Sequence, residues 1–219
     1  MNFNRRLVAE FLGTAGLLVV VVGSGIMAES LAGGQAALAL LANSLATGAG
    51  LFALIQAFEP VSGAHFNPAV TIVEWLNKRF TASETFAYIF AQVLGAVIGV
   101  LVVHIMFGQN LLQFLPQLST RHRGEFRLIF SEVIATFGLL LVVALSGKRN
   151  IEAKPASVAL YITSAYWCTS STSFANPAVT LARSFTDTFT GIHWTSAAGF
   201  ILAQLVGAVL AFVVSKKFK

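Results

Sequence analysis

Charge is what this sequence lacks most. Only 11% of its 219 residues are Asp, Glu, Lys or Arg, less than half of the roughly 25% usual in soluble domains. A chain this poor in charge and 56% hydrophobic, with a mean hydropathy of +0.78, would aggregate in water. The shortage excludes a disordered segment and an ordinary cytosolic enzyme, and it points to lipid as the solvent. Cysteine is nearly absent as well. Cys168 stands alone, which excludes an internal disulfide, a secreted disulfide scaffold and a cysteine-cluster metal site. It reads as a small buried hydrophobe rather than a thiol site. His104, His122 and His193 are scattered without metal-ligand spacing. No Ser/His/Asp set is visible, so the chain reads as no enzyme, with no cofactor and no metal.

What the sequence does have is long hydrophobic runs. A span needs about 20 mostly apolar residues, and six segments qualify: 7–28, 36–58, 85–107, 128–146, 155–171 and 196–214. The fifth is the most polar, carrying Thr163, Ser164 and residues 169–171. The first is not a signal peptide, because no small-residue cleavage site follows it and five more spans do.

The basic excess, 14 Lys and Arg against 9 Asp and Glu, has a topological explanation. Arg5, Arg6, Lys78, Arg79, Lys148, Arg149, Lys154, Lys216, Lys217 and Lys219 all fall on one side of a six-helix zigzag. Arg121, Arg123, Arg127 and Arg183 fall on the other. The positive-inside rule then makes both termini cytoplasmic. No basic patch with interleaved aromatics remains for a nucleic acid.

The two halves repeat. Residues 7–20 (LVAEFLGTAGLLVV) match 129–142 (IFSEVIATFGLLLV), with Glu10 opposite Glu132. Asn67-Pro-Ala-Val-Thr recurs from Asn176, and Ala91-Gln-Val-Leu-Gly-Ala-Val recurs from Ala203 with Leu and Val exchanged. Each half, about 1–110 and 124–219 of a single channel domain, holds three spans. An odd number inverts the second half relative to the first, which places a site near the midplane where the repeats meet.

Asn-Pro-Ala suits that site. Each copy follows a loop of small residues and precedes about ten helix-compatible residues, too few to span. Pro68 and Pro177 fit the first helical position, and Asn67 and Asn176 fit the N-cap. Ala69 and Ala178 complete the motifs. Two re-entrant half-helices would meet with their N-termini facing, opposing cations and hydronium. Loop carbonyls would accept hydrogen bonds, and the asparagine amides would donate them. The object derived is a pore for small, uncharged polar solutes.

At these residues the chain resembles the aquaporin (major intrinsic protein) family over almost its whole length. The resemblance implies an all-α membrane protein of six transmembrane helices and two re-entrant half-helices in two inverted repeats. It also implies a homotetramer with one pore per subunit, in a bacterial inner (plasma) membrane, with passive flux and no cofactor. Glu10 and Glu132 would brace the loops. One residue departs from the pattern: the family usually places arginine directly after the second Asn-Pro-Ala, and here Val179 stands there. Ungapped alignment with the family's bacterial water channels implies Thr47, Ser164 and the Ser173 carbonyl at the other filter positions, giving a wide, uncharged ring. That pattern is similar to bacterial aquaglyceroporin-like channels linked to arsenic resistance. It implies glycerol-like polyols and neutral or methylated arsenic species as permeants beside water. A water-selective channel, a coupled transporter using Glu10 and Glu132, and a closed structural member of the fold are the competing readings.

Other residues carry paired readings. Arg183, on the helix face of Asn176 and Val179, either restores positive charge at the pore mouth or is solvated and paired with Asp187. His65 lines the cytoplasmic half of the pore or anchors its loop. The Arg121-His122-Arg123 stretch covers the outer vestibule and attracts anions, or is plain solvated loop. Gly95, Gly99, Gly207 and Ala211 make small-residue faces for close helix packing. Trp75 and Trp194 read as interfacial anchors.

Overall fold

The computed structural model describes residues 2–108, 118–146 and 153–218. Lys148, Arg149 and Lys219, three of the cations on the basic side, lie outside them. Among the described residues eight α-helices follow in order: α1 (Phe3–Leu31), α2 (Ala36–Ser62), α3 (Pro68–Leu76), α4 (Ala82–Met106), α5 (Phe126–Ser146), α6 (Ala153–Cys168), α7 (Pro177–Ala182, continued by a 3-10 turn Arg183–Phe185) and α8 (Trp194–Ser215). Among the described residues there is no strand. Helices α1, α2, α4, α5 and α8 with its trailing turn are long and apolar enough to cross a membrane. Helix α6 has 16 residues, about 24 Å at 1.5 Å per residue, and completes the set of six. The chain is an integral multi-pass membrane protein.

Local chemistry sets the helix ends. Thr81 caps α4 through a full capping box with Glu84, which starts the helix three residues before the expected Thr85. His193 caps α8 through its side chain on the Thr195 N–H. Helix α2 runs four residues past its expected end, through Pro60, and closes on Gly63 at φ 88°. Helix α6 stops at Cys168, short of the expected 171. Residues 169–171 fold into a turn, with the Thr169 hydroxyl bonded back to Ala165.

Burial is inverted relative to a soluble protein. Val8, Leu12, Leu45, Phe86, Phe90, Ile134, Leu202 and Val213 are exposed on the outside, while Glu10, Gln92, Glu132 and Gln204 are fully buried. An exterior of this kind needs hydrocarbon, or a partner, as its surroundings. Inside, α1 packs on α2 and α4, and α5 packs on α6 and α8. The interior between them joins Leu17, Val21, Leu51 and Ile55 of the first repeat to Leu139, Val158 and Ile162 of the second.

Glycine permits the tightest crossings. A side chain at Gly95 would strike the Phe11 carbonyl of α1, and one at Gly99 would strike the Ala15 carbonyl. The second repeat copies this, with Gly207 against the Val133 carbonyl of α5. Backbone cannot rotate out of the way, so overpacking here costs about 1–3 kcal/mol or more. Cys168 is exposed rather than buried, because α6 turns its interior stripe elsewhere.

Gly95→Leu and Gly207→Leu should each lower the thermal midpoint of the detergent-purified protein by several degrees, read by intrinsic fluorescence. Gly23→Ala, whose added methyl meets only ordinary van der Waals contacts from 3.5 Å, should leave it nearly unchanged.

Candidate functional site

Two short loops, 63–67 and 172–176, leave the helices in the middle of the molecule. Their backbones are copies. Ala64 (φ 46°) and Phe66 (φ 48°) of the first loop correspond to Ser173 (φ 50°) and Ala175 (φ 47°) of the second. Left-handed backbone costs an L-residue roughly 1–2 kcal/mol, so each loop must be held from outside.

Glutamate does the holding. Glu10 accepts hydrogen bonds from the His65 N–H (3.0 Å), the Phe66 N–H (2.8 Å) and the Ser62 hydroxyl (2.6 Å). Glu132 accepts from the Phe174 N–H (2.9 Å) and the Ala175 N–H (2.8 Å). Behind each carboxylate a glutamine completes the frame. Gln92 donates to Glu10 (2.7 Å) and to the Thr71 hydroxyl (2.9 Å). Gln204 donates to Glu132 (2.6 Å) and to the Thr180 hydroxyl (2.8 Å). Carboxylates committed to backbone donors in this way are braces, and neither lines the central cavity, as a coupling acid would.

The asparagines join the loops to each other. Asn67 caps α3 on the Ala69 N–H (2.9 Å) and sends its amide to the Ala175 carbonyl (2.8 Å). Asn176 caps α7 on the Ala178 N–H (3.0 Å) and sends its amide to the Phe66 carbonyl (2.7 Å). Each amide has two N–H donors. One is spent across the pseudo-two-fold, which leaves the other for the cavity that both asparagines line. Pro68 and Pro177 open the two helices, and Ala69 and Ala178, both fully buried, let them meet end to end.

The cavity along this seam has a volume of about 80 Å³, several times the roughly 10–15 Å³ that one water requires. Thr47, His65, Ser173, Val179 and Arg183 line it. Ser164 does not. It is exposed, and its hydroxyl bonds the Tyr161 carbonyl of its own helix. The cavity face of α6 carries Val158, Ile162 and Tyr166, spaced by four, and a residue two positions from Ile162 points away from it. The Tyr166 hydroxyl lies 3.2 Å from Thr47 Oγ1, so in the cavity wall a tyrosine stands beside Thr47. The helical stripe through Val158 and Ile162 was the sequence signal that would have found it.

Arg183 is 4% exposed. It stacks on Phe174 with its guanidinium 3.4 Å from the ring centroid and donates Nε–H to the Thr190 carbonyl. The pairing with Asp187 does not form, because Asp187 accepts from the Thr120 N–H (3.0 Å) and hydroxyl (3.1 Å). The segment 119–123 folds against the chain after α7, with Ser119 N–H on the Ser184 carbonyl (3.0 Å) and His193 N–H on the Arg121 carbonyl (2.7 Å). His122 and His193, far apart in sequence, bring their rings to 4.0 Å, but no group of three potential metal ligands exists among the described residues. Burial, and after it the charge of Arg121, lowers Arg123 from the ordinary arginine range. At the other end, Lys154 lines the cavity and pairs with Glu59 at 2.9 Å. His65 is fixed by Thr71 (3.0 Å) and faces the rings of Phe80 and Tyr88.

This arrangement has solved and curated counterparts. Residues 1–214 match the family model for the major intrinsic protein. The chain is 48% identical to aquaglyceroporin AqpS of Rhizobium meliloti over 217 residues, covering 98% of this chain and 90% of that protein. It is 31% identical to the glycerol uptake facilitator protein-like 6 of Lactiplantibacillus plantarum, covering 94% of each. The aquaglyceroporin from Plasmodium falciparum superposes with a TM-score of 0.67 at 25% identity, over 99% of this chain and 95% of that one. Two inverted repeats, reciprocal asparagines and a continuous seam thus coincide with sequence kinship over nearly the full length, and the chain belongs to the major intrinsic protein family, whose members are passive channels for small solutes and not enzymes.

Proposed function

We propose that this channel passes uncharged polar solutes bulkier than water: glycerol-like polyols, undissociated arsenite and methylated arsenic species, with water beside them. The observation that carries the reading is Val179, an apolar, uncharged side chain lining the cavity directly after the second Asn-Pro-Ala. Around it the lining has two characters. Thr47, Tyr166 and the second N–H of each asparagine offer hydrogen bonds, while Val179, Val70, Leu17 and Val21 offer apolar surface. A small polyol has the same two sides, hydroxyls along one edge and C–H along the other. Specificity in such sites comes from a few placed polar groups on an apolar wall.

In this reading Arg183 supplies the positive charge that Val179 lacks, one helical turn further out on the same face. A buried guanidinium at the pore mouth raises the barrier to hydronium and metal cations, yet leaves the ring at Val179 uncharged. The termini are read as cytoplasmic from the distribution of cations, and the assembly as a homotetramer in a bacterial inner membrane from family membership and the apolar exterior. A second reading, passage of water alone, draws on Tyr166, which fills part of the ring.

Proteoliposomes separate the two. The unmodified protein should carry glycerol and arsenite at pH 7. Val179→Arg should cut both by at least about tenfold, the equivalent of 1.4 kcal/mol of added barrier, while water flux persists. If neither protein passes glycerol or arsenite but both pass water, the water-only reading stands instead. For Arg183, the measurement is proton leak under an imposed pH gradient. Arg183→Gln should raise it several-fold, and an unchanged leak would assign Arg183 to structure alone.

A further inference from the structure

Four arginines stand where segment 119–127 meets the chain around and after α7, and they are not equivalent. Arg121 pairs with Glu29 at 3.3 Å and Arg127 pairs with Glu125 at 2.6 Å. Asp187 is taken by Thr120. Arg123 and Arg183 have no carboxylate within 4 Å among the described residues. Both use Nε on backbone, Arg123 on the Gly191 carbonyl (3.2 Å) and Arg183 on the Thr190 carbonyl next to it. Neither finds a protein acceptor for its terminal nitrogens among the described residues.

The two also share a ring. Arg123 and Arg183 lie 5.4 and 3.4 Å from the centroid of Phe174. Their guanidinium carbons are therefore no more than about 9 Å apart, a gap that one oxyanion can bridge with charge-assisted bonds of about 2.7–2.9 Å. Phe174 stacking compensates part of the cost of burying this charge. Glu132 is the one carboxylate whose charge reaches both, but its oxygens are committed to the Phe174 and Ala175 N–H groups and to Gln204, so two largely desolvated cations without a direct ion-pair partner leave a local preference for an anion. The opposite end of the cavity differs, since its lining cation, Lys154, is already held by Glu59 at 2.9 Å.

We propose that Arg123 and Arg183 form a binding site for one tetrahedral oxyanion, of the phosphate, arsenate or sulfate class, at this mouth of the pore, and that the bound anion obstructs the neutral solute. The planar forks of guanidinium suit paired oxygens better than a monatomic ion, so chloride is a poor occupant. The obstruction rests on the proposed pore role of Arg183, whereas the binding does not.

The test uses sodium sulfate as the probe, against sodium chloride at matched ionic strength. Sulfate should raise the thermal midpoint of the detergent-purified protein saturably, and chloride should not. In proteoliposomes with sulfate on both sides, glycerol flux, normalised to each protein's own sulfate-free value, should fall. Arg123→Gln should raise the half-effect concentration at least tenfold in both assays. Arg123→Lys, which keeps the charge without the fork, should raise it too, and Arg121→Gln should not. No saturable rise in midpoint, or a rise that Arg123→Gln leaves intact, overturns the site. A rise with unaffected flux overturns the obstruction. If glycerol does not pass at all, the midpoint series still decides the binding, so failure of the function and failure of the site are distinguishable.

Discussion

Backbone N–H groups that leave a helix in the middle of a membrane have no water to bond, and in this chain Glu10 and Glu132 take them up. Everything at the seam follows from that exchange. The left-handed residues Ala64, Phe66, Ser173 and Ala175 are tolerable because their loops are pinned by carboxylate oxygens at 2.8–3.0 Å. Pinned in this way, the loops turn the Phe66 and Ala175 carbonyls toward the opposite asparagine. The asparagines then cap the half-helices and line the cavity at once. A carboxylate that frames backbone cannot also shuttle protons with a substrate, so the same geometry weighs against a coupled transporter.

The pseudo-two-fold explains the frame, and the departures from it carry the chemistry. Glu10, Gln92, Thr71 and Asn67 have their counterparts in Glu132, Gln204, Thr180 and Asn176, with the same glutamine and asparagine contacts in both repeats, while the Ser62 bond to Glu10 and the His65 bond to Thr71 belong to the first repeat. The positions that differ are those at the cavity ends. His65 faces Phe80 and Tyr88 in the first loop, and its counterpart Phe174 carries Arg183 in the second. Glu74 binds Arg79 at 2.9 Å, and its counterpart in the second repeat is Arg183 itself. One frame therefore presents an aromatic-imidazole end and a guanidinium end to the same cavity.

Most of the frame was legible in the sequence because repetition and composition report on it directly. Six apolar runs, two Asn-Pro-Ala motifs and two intramembrane glutamates define the helices, the half-helices and the braces. Gln92 and Gln204 were visible inside the repeated Ala-Gln motif, but their role depends on reaching Thr71 and Thr180 across helices. The cavity wall was less legible. Its members come from different elements, and which face of α6 turns inward is set by its packing on α2 and α5, which puts Tyr166 in the wall and leaves Ser164 exposed. The fate of Arg183 was also hidden, because local spacing offered Asp187 while Thr120, 67 residues away, claimed that carboxylate.

The central claim is that solute moves through the seam between the two loops, past Val179. It is tested most directly by making that one position chemically addressable. In a Cys168→Ser background, Val179→Cys should carry glycerol into proteoliposomes, lose that flux on treatment with a small mercurial, and regain it with excess thiol. The Cys168→Ser parent should be indifferent to the reagent. Full glycerol flux through protein shown by mass to be modified at position 179 would contradict the account.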